Sequence, residues 1–405
     1  MDELPIPREP QPCLKARARN PLSCYDCGHG DLPIVPSPFG DKFGTIASNK
    51  CPQMPGNSAE MTESESSRNG GRKPDSSGVR RHNRISVAPM MDYTDRHCRY
   101  FLRLLSPSTL LYTEMLTSAA LVRGDGARLL TYDEAEHPVA LQLGGSDPKE
   151  LAIAARMGEQ AGYDEINLNC GCPSERVQSG SFGACLMGEP PLVAECVSAM
   201  REAVRVPVTV KCRIGIEPMP QAGDEFEFLR QFIATVAAAG CEVFIVHARK
   251  AILKGLSPKE NREVPPLRYD VVSALRAEFP KLTFVLNGGI RTVEEVQTHL
   301  QTFDGVMIGR EAYSNPYLLA QLEQAVFNPG WNLPAREQVI EQYADYVRTR
   351  LAEGHRLRSM VKHVQGLYAG LPRVRSWRRY LSEGAGRPTA GAELLLDALR
   401  IVQAA

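Results

Sequence analysis

Residues 139–169 read VALQLGGSDPKELAIAARMGEQAGYDEINLN, and this stretch decides the fold. It opens with an apolar run, Val139–Leu143, that is typical of a buried strand. A helix-like segment follows at Pro148–Ala161, and a second strand-like run follows at Glu165–Asn169. Two strands joined by a crossover helix form one unit of a parallel sheet, so the stretch predicts an α/β fold built from such units.

The same alternation extends from Arg84 to about residue 327. Apolar, β-branched runs predict eight strands, at Ile85–Ala88, Leu110–Thr113, Val139–Leu143, Glu165–Asn169, Val208–Cys212, Val243–His247, Thr283–Leu286 and Gly305–Ile308. Helix-like segments lie between them, among them Pro191–Ala203, Glu225–Ala239, Tyr269–Ala277 and Val293–His299. Eight strand–helix units within about 240 residues predict a (β/α)8 TIM barrel. A doubly wound sheet is the alternative, but it often carries a GxGxxG fingerprint after its first strand, and none follows Ile85–Ala88.

Two segments of different character flank the barrel. Residues 1–80 are rich in Pro, Ser, Gly and Asn and lack a sustained apolar period, which predicts a disordered extension. After the break Asn328-Pro329-Gly330, residues 335–402 carry helical apolar stripes throughout. We therefore predict three parts: a disordered N-terminal extension at 1–80, a TIM-barrel catalytic domain at 81–327 and an all-helical C-terminal domain at 335–402.

The charge of the chain is balanced overall but uneven locally. Lys plus Arg and Asp plus Glu number 47 each, and 43% of the residues are hydrophobic. Between Arg348 and Arg387, ten Lys or Arg residues accompany only two acids, Glu353 and Glu383. A basic patch on a neutral protein predicts one face for an anionic partner. No uncharged apolar run of about 18 residues occurs, so we expect no membrane span.

The eleven cysteines have no disulfide-framework spacing, and several lie inside apparent strands or helices. This pattern predicts free thiols in a reducing compartment. We predict the cytoplasm, with the plastid or the mitochondrion as alternatives because of the N-terminal extension. Cys24 and Cys27 form a CxxC, but its spacing to Cys13 and Cys51 is irregular for a zinc site, so we predict no bound metal.

Polar residues or glycines stand at nearly every predicted strand end, where TIM barrels carry their chemistry. The set comprises Pro89, Met90, Met91, Gln142, Asn169, Cys170, Cys172, Lys211, His247, Asn287, Gly288, Gly289, Gly309 and Arg310. One such residue would mean little, but a set of this size is hard to explain as solvated loops. It indicates a bound cofactor.

The glycines after the last two strands indicate a phosphate site. Gly288, Gly289 and Gly309 let backbone N–H groups approach a phosphate closely, and TIM barrels commonly hold a phosphate at this position. Arg310 adds a charge-assisted contact for the same group. Either loop alone is better explained as a turn, whereas both loops together, in the expected order, favour phosphate binding.

Lys211 lies within the apolar strand VTVKCRI and needs an anionic partner if it is buried. A reduced flavin, which is anionic around N1 and O2, is such a partner. A lysine at the exposed end of the strand needs none, and this alternative stays open. His247 is either a hydrogen-bonded core histidine or a pocket residue, and its place at a strand end favours the pocket.

Cys172 follows the fourth strand directly before Pro173, where the chain must turn. An exposed cysteine at a barrel mouth serves as nucleophile, metal ligand or acid, and all three roles stay open. An ordinary thiol has a pKa of about 8.5 and is mostly protonated at neutral pH, so it can donate a proton. Cys170 is the competitor, because residues two apart share a face of a strand and geometry alone does not choose between them.

Seven runs of the sequence closely resemble the tRNA-dihydrouridine synthases. They are APMMDYTDRHCRYFLR (88–103), QLGG (142–145), EINLNCGCPSERVQSGSFGACLM (165–187), VKCRIGI (210–216), HARKAILKGLSPKENREVPPL (247–267), NGGI (287–290) and GREAYSNPYLL (309–319). The resemblance covers about residues 84 to 387 and is closest to the A-type subfamily, which acts at D-loop positions 20 and 20a. Ile252 departs from it, since an aromatic residue is expected there; this affects details of tRNA docking and not the chemistry.

The resemblance implies an FMN-bound TIM barrel followed by a helical tRNA-binding domain. It implies that NADPH reduces the flavin, that hydride passes from reduced FMN to C6 of uracil, and that Cys172, not Cys170, protonates C5. Asn169 resembles the residue that meets the target base. The family's FMN contacts correspond to Pro89, Met90, Met91, Gln142, Lys211, His247, Asn287, Gly288, Gly289, Gly309 and Arg310.

Four basic residues indicate how tRNA is bound. Arg375 and Arg378 are three apart and share a face on a helix, and the pair resembles the subfamily's tRNA signature. Lys259 and Arg262 have the same spacing after the sixth strand. Flipping a uridine out of its stack costs a few kcal/mol, which phosphate contacts offset.

The sequence leaves three hypotheses for the function. The first is a monomeric tRNA-dihydrouridine synthase without an obligatory protein partner. The second is an FMN barrel reductase of a small-molecule pyrimidine, although such a substrate needs no basic helical domain. The third is a catalytically inactive tRNA-binding protein, against which the intact Cys172, Lys211 and His247 count.

Overall fold

The structure is a computed structural model and describes residues 84–218 and 224–403. The predicted disordered extension at 1–80, with its CxxC at Cys24 and Cys27, lies outside the described residues. Within them, the predicted alternation of strands and helices from Arg84 onward is confirmed.

The described residues contain eleven β-strands. They are β1 Ile85–Val87, β2 Leu110–Tyr112, β3 Leu116–Thr117, β4 Val139–Gly144, β5 Glu165–Cys170, β6 Val208–Arg213, β7 Ile216–Glu217, β8 Val243–His247, β9 Ala251–Ile252, β10 Thr283–Asn287 and β11 Gly305–Ile308. Eight of them pair in parallel in the order β2-β1-β11-β10-β8-β6-β5-β4, and β2 also pairs with β4. This last pairing closes the sheet, so the predicted TIM barrel is confirmed and the doubly wound sheet is excluded.

Helices surround the barrel and continue after it. They are α1 Arg96–Arg103, α2 Ser118–Arg123, α3 Gly126–Leu129, α4 Pro148–Gln160, α5 Glu175–Ser179, α6 Pro190–Ala203, α7 Glu225–Ala238, α8 Tyr269–Glu278, α9 Val293–His299, α10 Glu311–Ser314, α11 Tyr317–Leu322, α12 Arg336–Ala352, α13 Leu357–Val361, α14 Val374–Gly384 and α15 Glu393–Gln403. None of the helices in the described ranges is long and apolar enough to cross a membrane.

Local sequence explains the helix that follows β4. Asp147 caps α4 by accepting the N–H of Glu150 at 3.0 Å, and Pro148 occupies the first helical position. Leu151, Ala154 and Ala155 then recur on one face and are fully buried. The cap and the apolar stripe together return the chain to the barrel in the right position to start β5.

The helical C-terminal part packs on the barrel through α1 and α12. His97 Nδ1 lies 2.8 Å from the Tyr346 hydroxyl, and the Tyr343 hydroxyl donates to the His97 carbonyl at 3.3 Å. Asp95, which caps α1, accepts a hydrogen bond from buried His363 at 2.9 Å. These buried polar contacts fix the helical part against the loop that follows β1, at the end of the barrel where the predicted site lies.

Candidate active site

The carboxyl ends of the barrel strands bring most of the predicted site residues together. Strand register pairs Asn169 on β5 with Lys211 on β6, and Asn287 on β10 with His247 on β8. Gln142 on β4 donates through Nε2 to Asn167 and accepts through Oε1 from Asn169, both at 2.8 Å. The predicted polar set therefore lines one end of one barrel, which is where this fold places its chemistry.

Lys211 is a half-buried cation without a carboxylate partner among the described residues. Its Nζ donates to Asn287 Oδ1 at 3.2 Å, and Asn287 Nδ2 in turn donates to the Met307 carbonyl at 2.8 Å. Among residues 84–218 and 224–403, no carboxylate lies within ion-pair distance of Lys211. Burial and the neighbouring Arg213 lower the pKa of Lys211 to about 8. A bound anion would relieve this cost, so the site fits a cofactor with anionic character at this point.

The loops after β10 and β11 leave room for a phosphate group. Gly288 and Gly289 have φ values of 118° and 77°, and a Cβ at Gly288 would lie 2.6 Å from His247 Cδ2. A Cβ at Gly309 would meet nothing within 4 Å, so its backbone borders open space. Arg310 is paired with Glu263 at 2.5 Å, and a contact between Arg310 and a phosphate requires this exposed pair to open. The donor set as a whole fits a cofactor that carries a phosphate and has anionic character near Lys211.

The chain after β1 adds apolar contacts to the mouth. Pro89 and Met90 are half-buried, and Met91 is exposed. Met90 N–H donates to Thr94 Oγ1 at 2.9 Å, which holds the turn. Tyr93, for which we predicted no role, is 46% exposed and packs edge-to-face on Tyr313 at a centroid distance of 4.6 Å.

The two competing cysteines lie in different environments. Cys170 is the last residue of β5, has no exposed surface and packs in the main apolar core with Ile166 and Leu168. Burial and neighbouring cysteine thiols raise its pKa well above the usual range. Cys172 lies beyond the strand, is partly exposed, and places Sγ 3.5 Å from Ser174 Oγ. Only Cys172 of this pair has a thiol that a ligand at the barrel mouth can reach.

Contacts from both sides hold the backbone of Cys172. Its N–H and that of Gly171 donate to Asn169 Oδ1, each at 3.0 Å. Its carbonyl accepts the N–H of Ala184 at 2.9 Å. A Cβ at Gly183 would lie 2.7 Å from the Cys172 carbonyl oxygen, so the close approach of this segment requires glycine.

Arg213 is a site residue that the sequence analysis missed. Its side chain is 4% exposed and donates to the carbonyls of Gly171 at 3.1 Å, Lys250 at 3.0 Å and Asn261 at 2.8 Å. It thereby joins the Cys172 loop to two segments that follow β8. The signal was visible in VTVKCRI, where a second cation follows Lys211 inside an apolar strand.

Besides Asn169, the four basic residues predicted to bind tRNA fall into two groups on different parts of the chain. Lys259 and Arg262 are exposed on the segment after β9. Arg375 and Arg378 are exposed on α14, whose opposite face buries Trp377 completely. The structure thus brings Arg375 and Arg378 to one exposed helix face.

Comparison with known proteins shows the family of this chain. Residues 86–403 match the family model described as dihydrouridine synthase (Dus). The curated tRNA-dihydrouridine(20/20a) synthase of Vibrio cholerae is 57% identical over 317 residues, which cover 78% of this chain and 95% of that relative. Proteins of the same name from Shewanella oneidensis and Escherichia coli K12 are 56% and 54% identical, over 79% and 81% of this chain and 94% of each relative. The chain therefore belongs to the dihydrouridine synthase family.

Proposed function

We propose that this chain reduces the C5=C6 bond of uridine at D-loop positions 20 and 20a of tRNA, giving 5,6-dihydrouridine, with FMN as cofactor and NADPH as reductant. The observation that carries the chemistry is the partly exposed Cys172 thiol at the same barrel end as Lys211, a half-buried cation without a carboxylate partner among the described residues. The relatives' name supports tRNA and positions 20 and 20a as the substrate.

The residues that would hold FMN are those at the strand ends, Pro89, Met90, Met91, Gln142, Lys211, His247, Asn287, Gly288, Gly289, Gly309 and Arg310. When bound, reduced FMN supplies the hydride for C6 of the base. The glycines would admit the phosphate to the backbone, and Lys211 would supply a positive charge for the anionic part of the flavin. His247 is neutral at this position, because burial and the nearby Arg213 and Lys211 lower its pKa well below the usual range.

Cys172 donates its thiol proton to C5 of the uracil, and Asn169 meets the base beside it. Asn169 Nδ2 has one acceptor in the described residues, Gln142 Oε1, which leaves its second hydrogen for the base. Arg213 holds the carbonyl of Gly171 and so keeps the Cys172 loop in place. These contacts arrange proton donor and base before the reaction, which is how a site of this kind lowers its barrier.

The purified protein tests this proposal directly. Supplied with FMN, NADPH and an unmodified tRNA transcript, it is expected to form dihydrouridine at positions 20 and 20a, and to lose activity as salt is raised. Equal activity on a free pyrimidine, without salt dependence, would support the alternative small-molecule reductase. A colourless protein that binds tRNA but forms no dihydrouridine would support the inactive tRNA-binding protein.

Removing the charge of Lys211 is expected to weaken FMN binding. Lys211→Met is expected to raise the Kd for FMN about 10- to 100-fold, because one charge-assisted contact is lost. In the native protein FMN affinity falls as pH rises through about 8, because Lys211 then loses its proton; the fall is at most about tenfold per pH unit. Fluorescence titration of the apoprotein at several pH values measures both effects. Lys254→Met, at an exposed lysine, is the control, and the same pH step in Lys211→Met would contradict the assignment.

Removing two arginines of α14 is expected to weaken tRNA binding only. Arg375→Ala with Arg378→Ala is expected to lower tRNA affinity about tenfold and to reduce the slope of log K against log salt by about 1 to 2, since two phosphate contacts are lost. FMN reduction by NADPH is expected to be unchanged. Filter binding at several salt concentrations measures the slope, with exposed Arg128→Ala as the control. Unchanged affinity would remove α14 from the proposed tRNA-binding domain at 335–402.

The proposal also includes a cellular compartment and an oligomeric state. The seven cysteines of the described residues are free, which supports a reducing compartment. We propose the cytoplasm and a monomer. Nothing in the described residues supports the plastid or the mitochondrion, which we retained as alternatives.

A further inference from the structure

A chain of buried polar side chains runs through the barrel interior below the candidate active site. Asn169 Nδ2 donates to Gln142 Oε1, Gln142 Nε2 donates to Asn167 Oδ1, and Asn167 Nδ2 donates to Thr209 Oγ1, each at 2.8 Å. Thr209 donates to Glu165 Oε1 at 2.7 Å. The five residues are at most 8% exposed. The chain thus joins the Cys172 loop to a carboxylate at the first residue of β5.

The two ends of this chain dictate the same direction for every hydrogen bond. At the upper end, the backbone N–H groups of Gly171 and Cys172 can only donate, so Asn169 Oδ1 must accept and Asn169 Nδ2 must point to Gln142. At the lower end, Thr209 uses its single hydroxyl hydrogen on Glu165 Oε1, so its oxygen accepts from Asn167 Nδ2. Each amide between them therefore has one orientation that satisfies both neighbours.

We propose that Thr209 and Glu165 are positioning residues, which hold the side-chain amides of Gln142 and Asn169 in the orientation that the reaction needs. This inference rests on the proposed function. Thr209 and Glu165 are separated from the base and the cofactor by the intervening amides. Thr209 and Glu165 raise the free energy of the reversed orientation of the Gln142 and Asn169 amides.

The consequence of a reversed amide is largest at Asn169. With oxygen and nitrogen exchanged, Asn169 would present Nδ2 to the N–H groups of Gly171 and Cys172, and two donors would face each other. The Cys172 loop would lose its hydrogen bonds, and the base would meet an acceptor where the native site offers a donor. Gln142, reversed with it, would present the wrong group to the flavin. These side chains are at most 8% exposed, and an isolated donor is costly in such a buried position.

Tyr112 strengthens the lower end of the chain. Its hydroxyl donates to Glu165 Oε1 at 2.5 Å, and Tyr112 has no exposed surface. Burial and the adjacent Glu165 raise the pKa of Tyr112 well above the usual range, so the phenol keeps its proton and donates. Two hydroxyl donors on one oxygen keep the carboxylate fixed, which keeps the hydrogen of Thr209 directed away from Asn167.

The test removes only the hydroxyl of Thr209. Thr209→Val keeps the side-chain shape, and Thr209→Ser restores the hydroxyl without the methyl group. In Thr209→Val, the single-turnover rate of dihydrouridine formation by pre-reduced protein is expected to fall about 10- to 100-fold, because the reacting groups are no longer aligned. The visible absorption of bound FMN is expected to shift, because the amide of Gln142 next to the flavin loses its fixed orientation. The affinity for tRNA is expected to be unchanged. Thr209→Ser is expected to restore both the rate and the spectrum.

The control is Thr283→Val, the same change at a buried threonine in the first position of β10. It is expected to leave rate and spectrum unchanged. A native rate in Thr209→Val, or a Thr209→Ser as slow as Thr209→Val, would overturn the proposal. If Thr209→Val fails to fold, Thr209→Cys replaces the hydroxyl with a weak donor and is expected to give an intermediate rate; a native rate would again overturn it. The native protein is assayed in parallel, and its failure to form dihydrouridine would overturn the proposed function instead.

Discussion

Cys172→Ala is expected to lower the rate of dihydrouridine formation about 100- to 10,000-fold, which is the usual contribution of a positioned general acid. The thiol is partly exposed at the barrel mouth, and its backbone is held by Asn169 Oδ1 on one side and Ala184 N–H on the other. Removal of the thiol leaves these backbone contacts intact. FMN content, reduction by NADPH and tRNA affinity are therefore expected to be native. Quenched single-turnover reactions with pre-reduced protein, analysed by mass spectrometry of digested tRNA, measure the loss.

The matched control is Cys170→Ala, which removes the same thiol two residues earlier. Cys170 is fully buried in the core, so this variant is expected to be somewhat less stable but to retain its activity. Cys172→Ser, which keeps a weaker proton donor at the same place, is expected to retain more activity than Cys172→Ala. The assignment of the acid is wrong if Cys170→Ala is inactive and Cys172→Ala forms dihydrouridine at the native rate.

The choice between these two cysteines marks a limit of the sequence. Period two puts residues 170 and 172 on one face only as long as the strand continues. In the structure β5 ends at Cys170, whose side chain packs with Ile166 and Leu168, and the chain then turns before Pro173. The strand end depends on tertiary pairing with β6, where Cys170 is the last partner. No local pattern of residues fixes that position, and only the family resemblance favoured Cys172.

The barrel itself was predictable, because its strands are buried on both faces. Such strands appear in the sequence as short, nearly continuous apolar runs bounded by turn residues. Helix ends were predicted to within a residue where a cap is present: Asp147 begins α4, and Thr292 forms a capping box that begins α9 at Val293. No single segment of the sequence predicts that β2 pairs with β4 and so closes the sheet. Closure of the barrel was predicted only from the number of strand–helix units.

The roles of residues that position other residues were not predicted from the sequence. EINLN places Glu165, Asn167 and Asn169 on one face of β5, and three polar residues at period two in an otherwise apolar strand are a signal of a polar barrel interior. Their partner Thr209 carries no such signal, since threonine is an ordinary strand residue. Arg213 does carry a signal, as a second cation in an apolar strand, but its three carbonyl partners come from loops that only the fold brings together. Contacts between distant segments decide these roles, and spacing along the chain does not encode them.

The largest effect on stability is expected at the buried ion pair of Arg99 and Glu136. Arg99 Nε lies 2.6 Å from Glu136 Oε2, and the two side chains are 4% and 0% exposed. Arg99 also donates to the carbonyl of Thr94 at 2.8 Å, in the turn that follows β1 and carries Tyr93. Arg99→Met leaves the Glu136 carboxylate buried without its counter-ion. We expect the free energy of unfolding to fall by about 3–5 kcal/mol, measured by urea denaturation.

Two comparisons separate the loss of the pair from the loss of the arginine's bulk. Arg128→Met breaks an exposed pair with Asp125, and its expected effect is at most about 1 kcal/mol. Arg99→Met combined with Glu136→Leu removes both charges and is expected to recover part of the stability, because an apolar pair needs no counter-ion. If the double variant is less stable than Arg99→Met alone, the hydrogen bond that Glu136 Oε1 accepts from the Asp133 N–H, and not its buried charge, explains the loss. If Arg99→Met lowers the free energy of unfolding no more than Arg128→Met does, the Arg99–Glu136 pair does not anchor the turn that leads from β1 to the active site.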